Sequence, residues 1–552
     1  MSTLEATAAP ATAPEVDEPK PALDEWRAAL ALGRIEGWRL LRSPAMLPGA
    51  AMLGLSSFGS PPFQSLRNLA IDSVFPCFMV AAMTIVAVNM AVRRSVRHGT
   101  EDLYQSAAVS TMARTGGHLL SLVWPAAATA LILVAQMSYW ASFRRGHGPF
   151  SVAELAVGPV IVLGAGALSL LLTRLWNSVL VAPLACVAIA ALELYLTSAP
   201  ALLTSGFRWL AFWPGGNDVL FPTRPALAHL VYLCGLTALA AVTALFVAHR
   251  SPRLVGLAAV ALTVTLVAAF VQVDSLRPSA WAAVDRRLAA PEDGQVCREL
   301  HSVRHCAFPE DAGLIPLWDE AVYGVRRALP AGALAADLVV SERISSTALE
   351  YTNPDGRARL AKRLPHLDQL DHPVDDGRLH PSPNFVWERL SSLDLAAGAA
   401  ALSVGLPIAP DPDGGLCDAS GQGRAVIALW LAGQSTERAR SHLERLAREA
   451  VVGSGPRRHV LFVDANLVYG GVAWGEGETA LALTLLGRPL DLTTAAVQRD
   501  WARLTARSAT TEDVAQALGV GAFAPPTAVP AQDNPVKALA DDAAPRISAP
   551  CS

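Results

Sequence analysis

The sequence predicts an α-helical polytopic membrane domain of about seven transmembrane helices, followed by a C-terminal mixed α/β extracytoplasmic domain. Three observations predict it. Apolar segments crowd into the chain before about Val273 and almost none follow. Arginines favour one set of loops between those segments. The second half holds cysteines spaced for a bridge in an oxidising compartment.

Composition agrees. Hydrophobic residues make up 52% and mean hydropathy is +0.34, high for a water-soluble protein and low for a chain wholly within a bilayer. A net charge of -4 says little about partners and gives no reason to expect nucleic acid. Only three of the 44 basic residues are lysine, Lys20, Lys362 and Lys537, which suits a GC-rich bacterial genome and says nothing of chemistry.

The elements follow in order. Residues 1–21 are Ala, Pro and acidic residues with no basic or apolar leader pattern, and are expected to be disordered. Residues 22–44 predict a helix that sets Trp26, Leu30, Trp38 and Leu41 among Arg27, Arg34, Arg39 and Arg42. Such a helix either lies at the membrane interface or extends the first span into the cytoplasm. The membrane domain is expected over 45–273. Five charge-free runs are long enough to span, which takes about 20 residues of helix. They are Ser73 to Val92, Leu119 to Phe143, Leu155 to Thr173, Pro225 to Ala248 and Leu254 to Val273. A sixth, Leu175 to about Ser198, is interrupted by Glu193, and the earliest, Ala45 to about Ser60, is the shortest.

With the N-terminus inside, twelve basic residues fall on inner segments and five on outer loops. Seven crossings then put residues from about Asp274 onward outside. In that domain, expected over 274–523, Leu338 to Val340 and His459 to Val463 read as strands. Arg424 to Leu431, Thr436 to Val451 and Glu478 to Leu486 read as helices, and Thr511-Glu512-Asp513 as a helix start. Residues 524–552 read as a disordered tail.

Few residues carry chemistry. Cys297 and Cys306 enclose a short loop; a disulfide is the natural reading outside the cell. The alternative is a metal held by these cysteines with His301 and His305, which on a helix would share a face. The Asp368 to Asp376 stretch with His372 and His380 lacks calcium-loop spacing, Asp411 to Gly415 reads as a turn, and Gly453-Ser454-Gly455 stands in the wrong order for a dinucleotide site. Glu193 is either a transport-path residue or an acid reaching the interface. The outer stretch from Ala199 to Arg224 gathers Phe207, Trp209, Phe212, Trp213 and Phe221 around Pro214-Gly215-Gly216, as an interfacial or re-entrant segment would. The longest inner loop, Arg93 to His118, contains Thr100, Glu101 and Asp102 as a helix start, beside Leu103 and Tyr104.

Arg34 to Pro44, and Gly99 to Tyr104 followed by Ala113-Arg114-Thr115, resemble segments of bacterial ABC transporter permeases of the type-2 exporter class. The Cys297 to Cys306 loop with Pro309, and Val497 to Leu504 leading to Leu518-Gly519-Val520, resemble an actinobacterial subgroup of them. The resemblance covers most of residues 25 to 522. It implies a multi-pass subunit of the bacterial cell membrane, a separate ABC ATPase in two copies, and a second permease subunit, as in a homodimer. It implies that Thr100, Glu101, Asp102, Leu103, Tyr104 and Arg114 belong to the surface coupled to that ATPase. The family core has six spans, so the seventh counted here would be an addition that exports the C-terminal domain. The chain has no Gly-x-x-x-x-Gly-Lys-Ser/Thr run, so no enzymatic ATP site and no cofactor are expected within it. A second class stays open: a membrane-anchored sensor or envelope-assembly protein whose extracytoplasmic domain binds a ligand or partner.

Overall fold

The computed structural model describes residues 22–59, 65–99, 110–143, 146–148, 150–198, 206–213, 225–276, 278–335, 337–343, 362, 364–366, 378–381, 391–407, 416–448, 458–461, 472–521, 523 and 547–551. The first half is helical: α1 (Ala22–Leu41), α2 (Leu47–Gly59), α3 (Leu66–Asp72), α4 (Val74–Val92), α5 (Thr111–Ser121), α6 (Val123–Phe143), α7 (Val152–Leu175), α8 (Val181–Ser198), α9 (Ala226–Ala248) and α10 (Pro252–Val273). Five continuous helical stretches are long and apolar enough to cross a membrane: Leu69–Val92, Thr111–Phe143, Val152–Leu175, Ala226–Ala248 and Pro252–Val273. The other two apolar segments of the sequence form shorter helices, α2 and α8.

Local chemistry starts several of these helices. Ser110 accepts the Ala113 N–H at the head of α5, and Ser151 accepts the Glu154 N–H at the head of α7. Pro252 sits in the first turn of α10, where its missing N–H costs nothing. Small residues then let the helices close on one another. A Cβ on Gly166 would press on Leu122, one on Gly158 on Cys77, and one on Gly235 on Thr265. Asn89 of α4 donates to Thr173 Oγ1 of α7 at 2.8 Å, a polar tie between two buried helix faces.

Contacts sort the connections into two ends. At one end, which we term distal, Leu66 N–H donates to His147 O, His147 meets Asp311 of the C-terminal domain, and Gly206 lies against the Val273 backbone. At the other, proximal end, Glu36 of α1 takes Arg94, and Arg93 donates to Asn177.

The C-terminal domain is mixed α/β. Its ordered elements are α11 (Pro278–Ala289), β1 (Val296–Leu300), β2 (Val303–Ala307), α12 (Ile315–Arg326), β3 (Val339–Ser341), α13 (Ser391–Ser403), β4 (Leu416–Asp418), α14 (Gly423–Ser435), α15 (Glu437–Arg448), β5 (Arg458–Leu461), β6 (Val472–Gly475), α16 (Glu476–Leu486), α17 (Leu490–Arg499), α18 (Thr511–Ala517) and β7 (Ile547–Pro550). One sheet has the order β1-β2-β3, antiparallel then parallel; the other runs β5-β6-β4-β7, antiparallel and then parallel twice. The core centres on α14, buried along its whole length, with Trp318 and Trp430 fully enclosed. Alanines of α13 supply the facing surface, and their small size allows the two helices to approach closely. α18 begins with a capping box in which Thr510 and Asp513 satisfy each other's backbone N–H groups, at the helix start the sequence indicates.

Cys297 and Cys306 are bonded, with Cα atoms 4.0 Å apart on directly opposed positions of β1 and β2. The helix on which His301 and His305 would share a face is not formed. The two-residue turn His301-Ser302 has both residues in the left-handed region (φ 46° and 61°), which matches the twist of a hairpin. His301 therefore sits at the turn and His305 within β2. The bridge closes a short loop, worth about 2–3 kcal/mol through the unfolded state. A second disulfide joins Cys417 to Cys551, across 134 residues. It corrects the expectation of a wholly disordered tail: β7 pairs in parallel with β4, and the Cys551 N–H donates to Asp418 O at 2.9 Å. Residues 524–546 lie outside the described residues.

Candidate functional site at the two ends of the membrane half

At the distal end, residues 206–213 form a short cap that begins with a 3-10 turn, Gly206–Leu210. Three side chains from two helices hold its backbone. Glu193 of α8 accepts the Phe212 N–H at 2.9 Å and the Trp213 N–H at 2.7 Å. Tyr232 of α9 donates to Leu210 O. His229 of α9 places Nδ1 3.1 Å from both Trp209 O and Gln272 Oε1, and Nε2 3.2 Å from Phe212 O. A neutral imidazole has one N–H, so each tautomer serves only one of the two carbonyl groups directly. Gln272 of α10 is fully buried beneath this cluster.

The cap closes a small apolar cavity lined by Ile71, Val74, Val157, Trp209, Phe212 and Trp213, with Glu154 and His229 as polar members. Glu193 does not line it. The carboxylate that the sequence marks as a transport-path candidate is committed to the cap's backbone. Charge-assisted bonds of this kind are stronger than neutral ones, which suits an anchor. His229 and Gln272 were not among the sequence-derived candidates. Their signal was present as two polar residues inside otherwise apolar runs.

At the proximal end, Glu36 is buried and takes Arg94 Nη1 at 3.1 Å and Arg39 Nη1 at 2.8 Å. α1 lies across α5 and the start of α6 through small residues. A Cβ on Gly33 would strike Leu120, one on Gly37 would strike Trp124, and one on Gly117 would strike Leu32. Along α1, Trp26, Leu30, Ile35 and Trp38 are exposed, with the Arg42 guanidinium 4.1 Å from the centre of the Trp38 ring. Both feet of the Arg93 to His118 loop are thereby fixed to α1, one through Arg94 and the other through α5, which carries Arg114. Thr100, Glu101, Asp102, Leu103 and Tyr104 lie outside the described residues, so the structure places the feet of the coupling candidate and not its tip.

In the C-terminal domain, His301 Nδ1 lies 2.8 Å from Asp319 Oδ2 and its ring stacks on Tyr323 with centroids 4.0 Å apart. Arg326 donates to His301 O. These contacts hold the left-handed turn. Among the described residues, no group of three His, Cys, Asp or Glu side chains is arranged to hold a metal ion, and the two candidate sulfur ligands are bonded to each other. His380 places Nδ1 3.0 Å from Ser341 O. The acidic stretch around Asp368 to Asp376, the Asp411 to Gly415 turn and Gly453 to Gly455 lie outside the described residues. No protein-family model matches this chain, and neither does any curated protein or solved structure.

Proposed function

We propose that this chain is the membrane-spanning subunit of an ABC exporter, moving a substrate across the bacterial cell membrane with ATP hydrolysed by a separate ATPase subunit. The observation that carries the reading is the proximal end. α1, the Arg94 turn and α5 are locked together by the buried Glu36 and by glycine contacts. A force applied to the loop between Arg94 and α5 is therefore delivered to two membrane-crossing helices at once. In this reading the proximal end faces the cytoplasm, α2 and α8 complete seven crossings, and the C-terminal domain is outside. Two copies of the chain with two ATPases form the working transporter.

The contact of His147 with Asp311 supports a second reading, a membrane-anchored sensor, because it joins the C-terminal domain to a loop between membrane helices. One experiment separates the two. The full chain, extracted from its native membrane, should copurify with an ATPase bearing a phosphate-binding loop. Replacing Leu103 and Tyr104 with Ala removes the apolar anchors of the loop and should reduce the recovered ATPase by at least about tenfold, the scale of a lost hot spot. Membrane insertion and both disulfides should persist. Full recovery of the ATPase with the double variant defeats the coupling assignment; its absence from the wild-type preparation favours the sensor.

A further inference from the structure

Two independent contacts fix the level at which α1 meets the membrane half. Glu36 takes Arg94, which stands just past the end of the crossing stretch Leu69–Val92. Gly33 and Gly37 close on Leu120 and Trp124, at the start of the charge-free run from Leu119 to Phe143. The helical stretch Thr111–Phe143 has 33 residues, which at 1.5 Å each make about 50 Å, against about 30 Å of hydrocarbon. Its polar start, with Arg114 and His118, is therefore the part left outside. Residues 33–38 of α1 thus lie where the hydrocarbon ends on the proximal side.

At that level α1 presents an exposed stripe. Arg34, Trp38 and Arg42 stand four residues apart, so they share a helix face, and all three are exposed. Ile35 is exposed beside them. Helical side chains lean toward the N-terminus, and the Arg42 guanidinium reaches back to 4.1 Å from the centre of the Trp38 ring. Between Trp26 and Arg42 the sequence holds Arg27, Arg34, Arg39 and Arg42, and its one acid is Glu36. Glu36 is buried and bonded to Arg39 and Arg94. The exposed stripe therefore carries positive charge with no carboxylate beside it to balance it.

The chemistry of the bilayer surface complements such a stripe. Phosphate oxygens accept the forked N–H groups of a guanidinium. Tryptophan rings settle at headgroup depth, and arginine stems lie on apolar surface while their heads reach outward. A zwitterionic headgroup brings its own ammonium to the phosphate; an anionic one leaves that place to the arginines. We propose that Arg34, Trp38 and Arg42 form a binding site for the headgroup of an anionic phospholipid at the proximal bilayer surface. Trp38 rests on the acyl boundary and the two arginines take the phosphate. Lipid charge then holds α1, and with it α5 and the Arg94 turn. This inference depends on neither functional reading.

Photo-crosslinking of the full chain tests it. The photoreactive residue p-benzoylphenylalanine replaces Ala31, which is exposed one turn before Arg34. The chain is placed in nanodiscs holding equal phosphatidylglycerol and phosphatidylcholine with matched acyl chains. Illumination should give phospholipid adducts enriched in phosphatidylglycerol by at least about fivefold, the scale of one basic residue at an anionic surface. Arg34→Gln with Arg42→Gln should bring the two lipids to parity. Arg499→Gln with Arg503→Gln, an equal loss of charge at exposed positions of the C-terminal domain, should leave the enrichment unchanged. Parity in the parent chain overturns the proposal, and so does an enrichment that survives the loss of Arg34 and Arg42. In native membranes, an adduct with a protein in place of a lipid would assign the stripe to a protein partner and overturn it as well.

Discussion

Replacing Cys551 with Ser is expected to destabilise the C-terminal domain by about 5 kcal/mol, the largest single effect in the molecule. The Cys417–Cys551 bridge spans 134 residues, and the entropy removed from an unfolded chain grows with the length of the loop closed. β7 alone has little to hold it. It pairs with β4 over few residues, and the Cys551 carbonyl accepts from Gln422 Nε2 at 3.2 Å and Arg424 Nη2 at 3.3 Å. Without the sulfur link, these bonds must order the tail by themselves, at roughly 1–2 kcal/mol per residue fixed. Denaturant unfolding of the full chain in detergent, with and without reductant, reads the effect. C551S should resemble the protein in which both bridges are reduced more than it resembles wild type. A midpoint equal to that of the oxidised wild type would refute the assignment.

Glu478→Ala should cost about 2–4 kcal/mol, because the buried Thr511 hydroxyl and the partly buried N–H groups of Gly421 and Gly475 lose their acceptor together. Glu478 sits in the first turn of α16 and is almost fully buried. Its Oε1 accepts the Gly421 N–H at 3.0 Å and the Thr511 hydroxyl at 2.5 Å; its Oε2 accepts the Gly475 N–H at 2.8 Å. One carboxylate thus joins the turn after β4, the end of β6 and the head of α18. Glu478→Gln is the informative control. It keeps the volume but turns an N–H2 toward at least one N–H or O–H donor, so it should lose about half as much as alanine. Unfolding midpoints of the two variants should fall in that order, Ala below Gln below wild type. An alanine variant within about 0.5 kcal/mol of wild type, the range of an ordinary surface change, would show that the carboxylate joins nothing.

The membrane half was legible because its signal is local. Runs such as Val152–Leu175 announce themselves by length and the absence of charge, and small residues such as Gly158 and Gly166 mark the packing faces. Glu193 was legible as an exception but not in its role. That its carboxylate ends on the Phe212 and Trp213 N–H groups depends on how residues 206–213 fold back, which no periodicity encodes. The C-terminal domain divides in the same way. β3, β5 and the start of α18 were visible in residue choice while the other strands were not; nor was the pairing of Cys417 with a cysteine 134 residues later, because only the packed sheet brings β4 beside β7. That His301 and Ser302 form the turn of a hairpin was not legible, for want of a turn signal. A type I′ turn usually shows Asn-Gly, and here His301-Ser302 holds the shape through Asp319, Tyr323 and Arg326 instead.

Sidedness tests the account most directly, since the proposed exporter requires an ATPase to meet the Arg93 to His118 loop inside the cell while both disulfides form outside it. A reporter enzyme active only outside the cytoplasm, fused after Ser552, should be active, and the same reporter ahead of Met1 should be silent. A reporter that folds only in the cytoplasm should give the reverse. Cytoplasmic activity at both termini would contradict the account, removing the seventh crossing and the oxidising setting of the bridges together.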